Sequence, residues 1–133
     1  MSEENVESLR AGVEAFDRQD KATWLSTFDN DAVMIPAREW PENAPIRGAE
    51  AIWDFYLEVT ANWEGGRSEL GEIIEVREDT FVVNTRRETR GKASGAGFAF
   101  DYWFVMRFRR GKATRVEWFS DRGAALEAAG RSE

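Results

Sequence analysis

The sequence predicts an α+β fold: a curved, mostly antiparallel sheet wrapped around three helices, followed by a short C-terminal helix, with a pocket in the middle. Three observations carry this expectation. Apolar residues recur at helical spacing through the first half of the chain, and the period changes to two near residue 66. The segment V-E-W-F-S-D-R-G-A-A-L-E-A-A-G, Val116–Gly130, then runs a strand into a capped helix. Helices followed by antiparallel strands pack as layers around one core. At 133 residues the chain is expected to form a single domain spanning 1–133, large enough to bury one core.

The elements follow in order. Val6, Leu9, Val13 and Phe16 recur at i, i+3, i+7 spacing with charged residues between them, giving a first amphipathic helix of about 16 residues. Asp20 is placed to cap a second, shorter helix carrying Trp24, Leu25 and Phe28. Asp29-Asn30-Asp31 reads as a turn, because short polar side chains bond their own backbone there. Ala32–Ile35 is a short strand ended by Pro36. Residues 36–48 hold all three prolines and form a loop that also carries Arg38, Glu39, Trp40 and Arg47. A third helix starts at about Ala49, with a buried stripe of Ile52, Phe55, Tyr56, Val59 and Trp63. Strands are expected over Leu70–Arg77, Thr80–Arg90, Phe98–Arg109 and Lys112–Ser120, joined by Glu78-Asp79, a glycine-rich connection from Gly91 to Gly97, and Arg110-Gly111. Asp121 caps the last helix and Gly130 ends it.

Composition restricts the chemistry. The net charge is −7, which repels phosphate backbones and argues against nucleic acid as a partner. There is no cysteine, so disulfides, zinc–thiolate sites and thiol nucleophiles are excluded. There is no histidine, which removes the commonest general base and most transition-metal sites. No metal and no cofactor is expected. No apolar run approaches the ~18 residues needed to span a bilayer, and the polar, acidic N-terminal segment does not read as a signal peptide. The expectation is a cytoplasmic protein without membrane contact.

Several stretches are similar to one known family. N-V-E-S-L-R-A-G-V-E-A-F-D-R-Q-D, F-D-N-D-A-V-M-I-P, I-R-G-A-E-A-I, the R-G-K turn and S-D-R-G-A-A-L-E-A-A-G occur in an order and spacing that resemble the SnoaL-like proteins of the nuclear transport factor 2-like and ketosteroid isomerase superfamily. The resemblance covers nearly the whole chain. It implies a cone-shaped α+β barrel with a buried pocket, usually paired as a homodimer through the outer sheet face. Members include isomerases, polyketide cyclases, epoxide hydrolases and binding domains, and the fold does not choose among them. The resemblance also implies where such enzymes keep their acids, bases and tyrosine. Those places correspond here to Ile35, to the neighbourhoods of Gly12, Phe104 and Arg87, and to Trp118. Ile35 cannot abstract a proton and Trp118 cannot activate water.

Strand parity then defines the pocket wall. Tyr102, Phe104, Met106 and Phe108 share one face of the longest strand, and Val116, Trp118 and Ser120 share one face of the last. In this fold core lining and pocket lining coincide. Arg87 shares a face with Phe81 and Val83; pointing inward, it must meet a carboxylate or an anionic ligand. The residues expected to line one pocket are Trp24, Tyr56, Arg87, Tyr102, Phe104 and Trp118, and no catalytic residue is assigned. The expected function is binding of a small hydrophobic molecule in an apolar aromatic pocket. The alternative is an isomerase, polyketide cyclase, or hydratase or epoxide hydrolase using Tyr56, Tyr102 or Arg87 with a loop acid such as Glu39. Asp101 has the opposite parity and is expected to point outward, as are Trp103 and Val105. An apolar outer face on a small domain has no second layer of its own to cover it, which predicts a homodimer through that face.

Overall fold

The computed structural model describes residues 3–130. The chain order is α1 (Glu3–Asp17), α2 (Lys21–Ser26), β1 (Phe28–Ile35), β2 (Ile46–Arg47), α3 (Ala49–Thr60), β3 (Trp63–Glu64), β4 (Glu69–Arg77), β5 (Thr80–Gly91), β6 (Gly97–Arg109), β7 (Lys112–Phe119) and α4 (Arg122–Gly130). This is the expected α+β architecture.

All seven strands join one sheet in the order β2-β1-β7-β6-β5-β3, with β4 paired to β5 beside β3. The pairs β5–β6 and β6–β7 form an antiparallel meander, with Arg87 opposite Phe100, Val83 opposite Phe104, and Phe104 opposite Trp118. Residues directly opposite point to the same face, so this register brings the expected pocket residues of β5, β6 and β7 together. Register slips at Leu70/Ile73, Glu75/Arg77 and Arg107/Phe108 mark bulges, which bend strands and let the sheet curl around the helices. At the β6–β7 turn both Arg110 (φ 54°) and Gly111 (φ 79°) are left-handed, as the tightest hairpins require.

One pairing departs from the antiparallel pattern: β1 runs parallel to β7. Parallel neighbours need a long crossover, and here everything from the proline-rich loop to β6 lies between them in sequence.

Two boundaries also differ from expectation. Phe28 opens β1 instead of ending the second helix. Thr27 stops α2 by returning its hydroxyl and its N–H to the Trp24 carbonyl, and its own carbonyl accepts from Ala113 of β7. Pairing with a distant strand thus takes Phe28 from the helix. Trp63, expected on the α3 stripe, lies in β3 opposite Gly91. Thr60 bonds back to the Tyr56 carbonyl at the end of α3, and Asn62 accepts from Lys92. The turn chemistry of Asp29–Asp31 is present, with Asp31 N–H donating to Asp29 Oδ2 at 3.0 Å, but it sits inside β1, where the register to β7 slips between Phe28 and Val33. The caps agree: Asp20 accepts from Thr23 N–H and Asp121 from Ala124 N–H at 2.8 Å.

The core has two parts. The larger lies between the inner sheet face and α1–α3, around Leu9, Trp24, Met34, Ile52, Trp53, Phe81, Val83, Phe104 and Val116. The smaller lies on the outer face, where Ala125, Ala128 and Ala129 of α4 pack on Val82 and Val105. The premise that this domain lacks an outer layer is therefore corrected. The C-terminal helix folds back over the sheet and buries Val105 to 2% exposure. Arg122 at its start forks onto Glu72 of β4 at 2.8 and 3.1 Å, which fixes where the helix begins. Trp103 and Phe119 at the margin of α4 stay half-buried. Asp101 points outward as expected, bonded to Arg86 at 3.2 Å and Asn84 at 2.9 Å.

Candidate functional site

Between the helices and the inner sheet face lies a cavity of about 120 Å³. Its depth is set by α1, where Leu9, Gly12, Val13 and Phe16 face inward one turn apart. Gly12 leaves room that a side chain would fill; a Cβ there would meet the Thr27 hydroxyl at 3.0 Å. Five of the six expected pocket residues, Trp24, Tyr56, Arg87, Phe104 and Trp118, line this cavity. The sixth, Tyr102, does not. It shares their face of the sheet, but its ring is held against Phe100 (4.7 Å between centroids) and Trp40 (5.2 Å), and it fronts an outer groove. Strand parity chooses the face, whereas position along the strand and an intruding loop residue choose the compartment.

The walls are mostly rings. Trp24 stacks on Phe28 at 4.2 Å and meets Trp53 at 5.4 Å. Trp118 packs against Phe104 at 5.0 Å and Trp40 at 5.5 Å. Such contacts fix ring orientation and leave flat apolar surfaces.

Two polar groups stand out against these walls. Trp118 Nε1–H donates to the Tyr56 hydroxyl at 3.1 Å. That bond leaves the Tyr56 O–H without an acceptor among the described residues. Burial raises the Tyr56 pKa well above its ordinary value of 10, and the Trp118 bond lowers it by less. Tyr56 is therefore a neutral hydrogen-bond donor at physiological pH and not a proton-abstracting base.

Arg87 is the other group. Its Nη2 donates to the Gly65 carbonyl at 3.2 Å, and its guanidinium lies 5.6 Å from the Trp63 ring centroid. Its Nε is buried without a hydrogen-bond partner, and no carboxylate among the described residues pairs with it. The loop under it is tied down. The Thr89 hydroxyl lies 3.0 Å from the Glu64 carbonyl and 2.8 Å from the Gly65 carbonyl, and Asp17 of α1 accepts from both the N–H and the hydroxyl of Ser68. The cation is held in place at the cavity with hydrogen-bonding capacity unspent.

No carboxylate lines the cavity among the described residues. Ile35 is not in its wall, and at Gly12, Phe104 and Trp118 it is carbon or indole. No group of three or more acidic side chains among the described residues is arranged to hold a metal. Arg38 and Glu39 are exposed, and neither lines the cavity. The residues that sequence reasoning missed are Trp40, Trp63 and Phe100. A tryptophan in a proline-rich loop was the available signal for the first; the other two required knowing that β3 pairs with the end of β5.

The SnoaL-like domain profile matches this chain over residues 9–116. The chain belongs to the SnoaL-like domain family. No curated protein matches it. Among solved structures, TerC, crystallised with polyporic acid, is 26% identical, with 93% of this chain and 98% of that one covered and a TM-score of 0.76. A nuclear transport factor 2-like protein from Burkholderia pseudomallei is 22% identical, covering 98% of this chain and all of its own, also at 0.76. A protein from Catenulispora acidiphila with a ketosteroid isomerase-like fold, in complex with trimethylamine, is 16% identical over 95% of this chain and 94% of that one at 0.72. The last two establish likeness of fold alone. Within this SnoaL-like chain no described helix is long and apolar enough to cross a membrane.

Proposed function

We propose that this SnoaL-like domain binds one small, flat hydrophobic molecule between its aromatic walls and holds an anionic or carbonyl group of that molecule at Arg87. The carrying observation is the Arg87 guanidinium, which has no carboxylate partner among the described residues, has a buried and unbonded Nε, and faces a cavity walled by rings. Keeping a cation there costs desolvation that an incoming acceptor offsets. The free O–H of Tyr56 is a second anchor, suited to a carbonyl or phenol oxygen. These groups orient and polarise a ligand, and the lining offers no carboxylate to remove a proton from it, which supports binding over turnover. The likeness to TerC, which crystallises with polyporic acid, supports an acidic ligand.

Trp24, Trp40, Trp63 and Trp118 line the cavity, so intrinsic fluorescence reports occupancy. Titration with benzoate and with benzyl alcohol tests the reading. Benzoate is expected to bind about tenfold more tightly, the value of one charge-assisted hydrogen bond. Arg87→Met removes that preference. Equal binding of the two probes, or a preference unchanged in Arg87→Met, overturns it.

We infer also that two copies of the chain pair through the outer sheet face. The half-covered Trp103, Phe119, Ile74 and Val76 beside α4 support this, since together they form an apolar margin that the helix leaves open.

A further inference from the structure

A larger space lies beside the cavity. Outside it runs a groove of about 550 Å³. Trp40, Val59, Trp63 and Phe100 line both compartments, so the two share one aromatic wall. Beyond that wall the groove continues over Tyr102 and Phe98, with Phe98 meeting Trp63 edge-on at 5.4 Å. Phe98 is 43% exposed, the only large apolar side chain so open among the described residues. Trp40 comes from the proline-rich loop, packs 6.5 Å from Phe55 and 6.2 Å from Phe100, and stands at the partition.

Size and charge say what the groove receives. The inner cavity is close to the ~150 Å³ that accommodates a single benzene ring. A ligand of ordinary size needs roughly 300 Å³ or more, so anything longer than one ring must continue past the shared wall. The polarity also changes along that path. Arg87 is the charged group of the cavity, whereas the charged residues of the groove are Glu42 and Glu58. Neither carboxylate has an ion-pair partner among the described residues. An anion is thus favoured on the cavity side of the shared wall, where Arg87 lies against Trp63, and disfavoured on the groove side.

We infer that cavity and groove form one site for an elongated ligand of two ring systems, with its acidic or carbonyl end inside at Arg87 and an uncharged second ring outside on Phe98 and Tyr102. The inference rests on the cavity being the ligand site. Trp40 is then the side chain both rings touch.

The test uses the intact chain and three probes: benzoate, biphenyl-4-carboxylate and biphenyl-4,4′-dicarboxylate, followed by tryptophan fluorescence and calorimetry. The second ring is expected to tighten binding about tenfold through burial and ring contact. The second carboxylate removes that gain, and Glu58→Gln restores part of it. Phe98→Ser, at an exposed position where folding is not at stake, reduces the biphenyl preference to about threefold or less. Equal affinity of benzoate and biphenyl-4-carboxylate, or a preference that survives Phe98→Ser, overturns the two-compartment site while leaving the Arg87 reading intact. A wild type that prefers the second ring yet binds benzoate and benzyl alcohol alike supports the groove and sinks the anchor. Absence of binding by all three probes overturns both.

Discussion

The Tyr56–Trp118 pair makes a pH-dependent contribution to stability whose sign is fixed by its surroundings. Burial raises the Tyr56 pKa above 10 in the folded chain, and the unfolded chain returns it to about 10. Below pH 10 both states hold the proton and the contribution is fully present. Above pH 10 the unfolded chain ionises first, so stability falls until the folded pKa is passed. One pH unit above the unfolded value this amounts to about 1.4 kcal/mol at most. Tyr56→Phe removes the titration together with the acceptor for Trp118 Nε1–H, a loss of about 1–3 kcal/mol at neutral pH. Unfolding free energies obtained from denaturant titrations of both proteins should therefore differ most at pH 7 to 9, and the gap should shrink by about 1.4 kcal/mol at pH 11. The chain has only two tyrosines, so tyrosinate absorbance gives an independent check. At pH 11 the folded wild type and Tyr56→Phe should show the same tyrosinate signal. An additional tyrosinate in the folded wild type, or a stability gap constant from pH 7 to 11, would refute the assignment of Tyr56 as a buried neutral donor.

Two further outcomes follow from the geometry. Gly66 has φ 75°, and a Cβ there would run into the Glu88 carbonyl; Gly66→Ala should cost more than about 1 kcal/mol in thermal or denaturant unfolding and weaken benzoate binding, because the displaced loop carries the Gly65 carbonyl that holds Arg87. Trp103→Glu puts a charge on the apolar margin beside α4, and sedimentation at micromolar concentration should then give monomer where the wild type gives dimer; a wild type that sediments as monomer counts against the pairing.

The layer architecture was legible in the sequence because it depends on local periodicity, and the family through the order and spacing of motifs that resemble it. The α1 stripe, the two-residue period after residue 66 and the caps at Asp20 and Asp121 are each decided by residues within a few positions of one another. Strand parity likewise put Phe104 and Trp118 on the inner face and Asp101 on the outer, and grouped Arg87 with Phe81 and Val83 without deciding whether its long side chain turns into the cavity or to the rim. What only the tertiary structure decided depends on partners far away in sequence. Phe28 leaves the helix because Ala113 takes the Thr27 carbonyl, and Trp63 leaves α3 because Gly91 pairs with it. The outer face gains its cover because α4 folds back over Val82 and Val105, which no local pattern in α4, a helix of alanines, announces. Tyr102 has the parity of the cavity wall yet stands in the groove, because Trp40 arrives from a loop whose path periodicity does not encode. Period fixes which face a side chain takes; the depth at which it sits is set by whatever the rest of the chain brings against it.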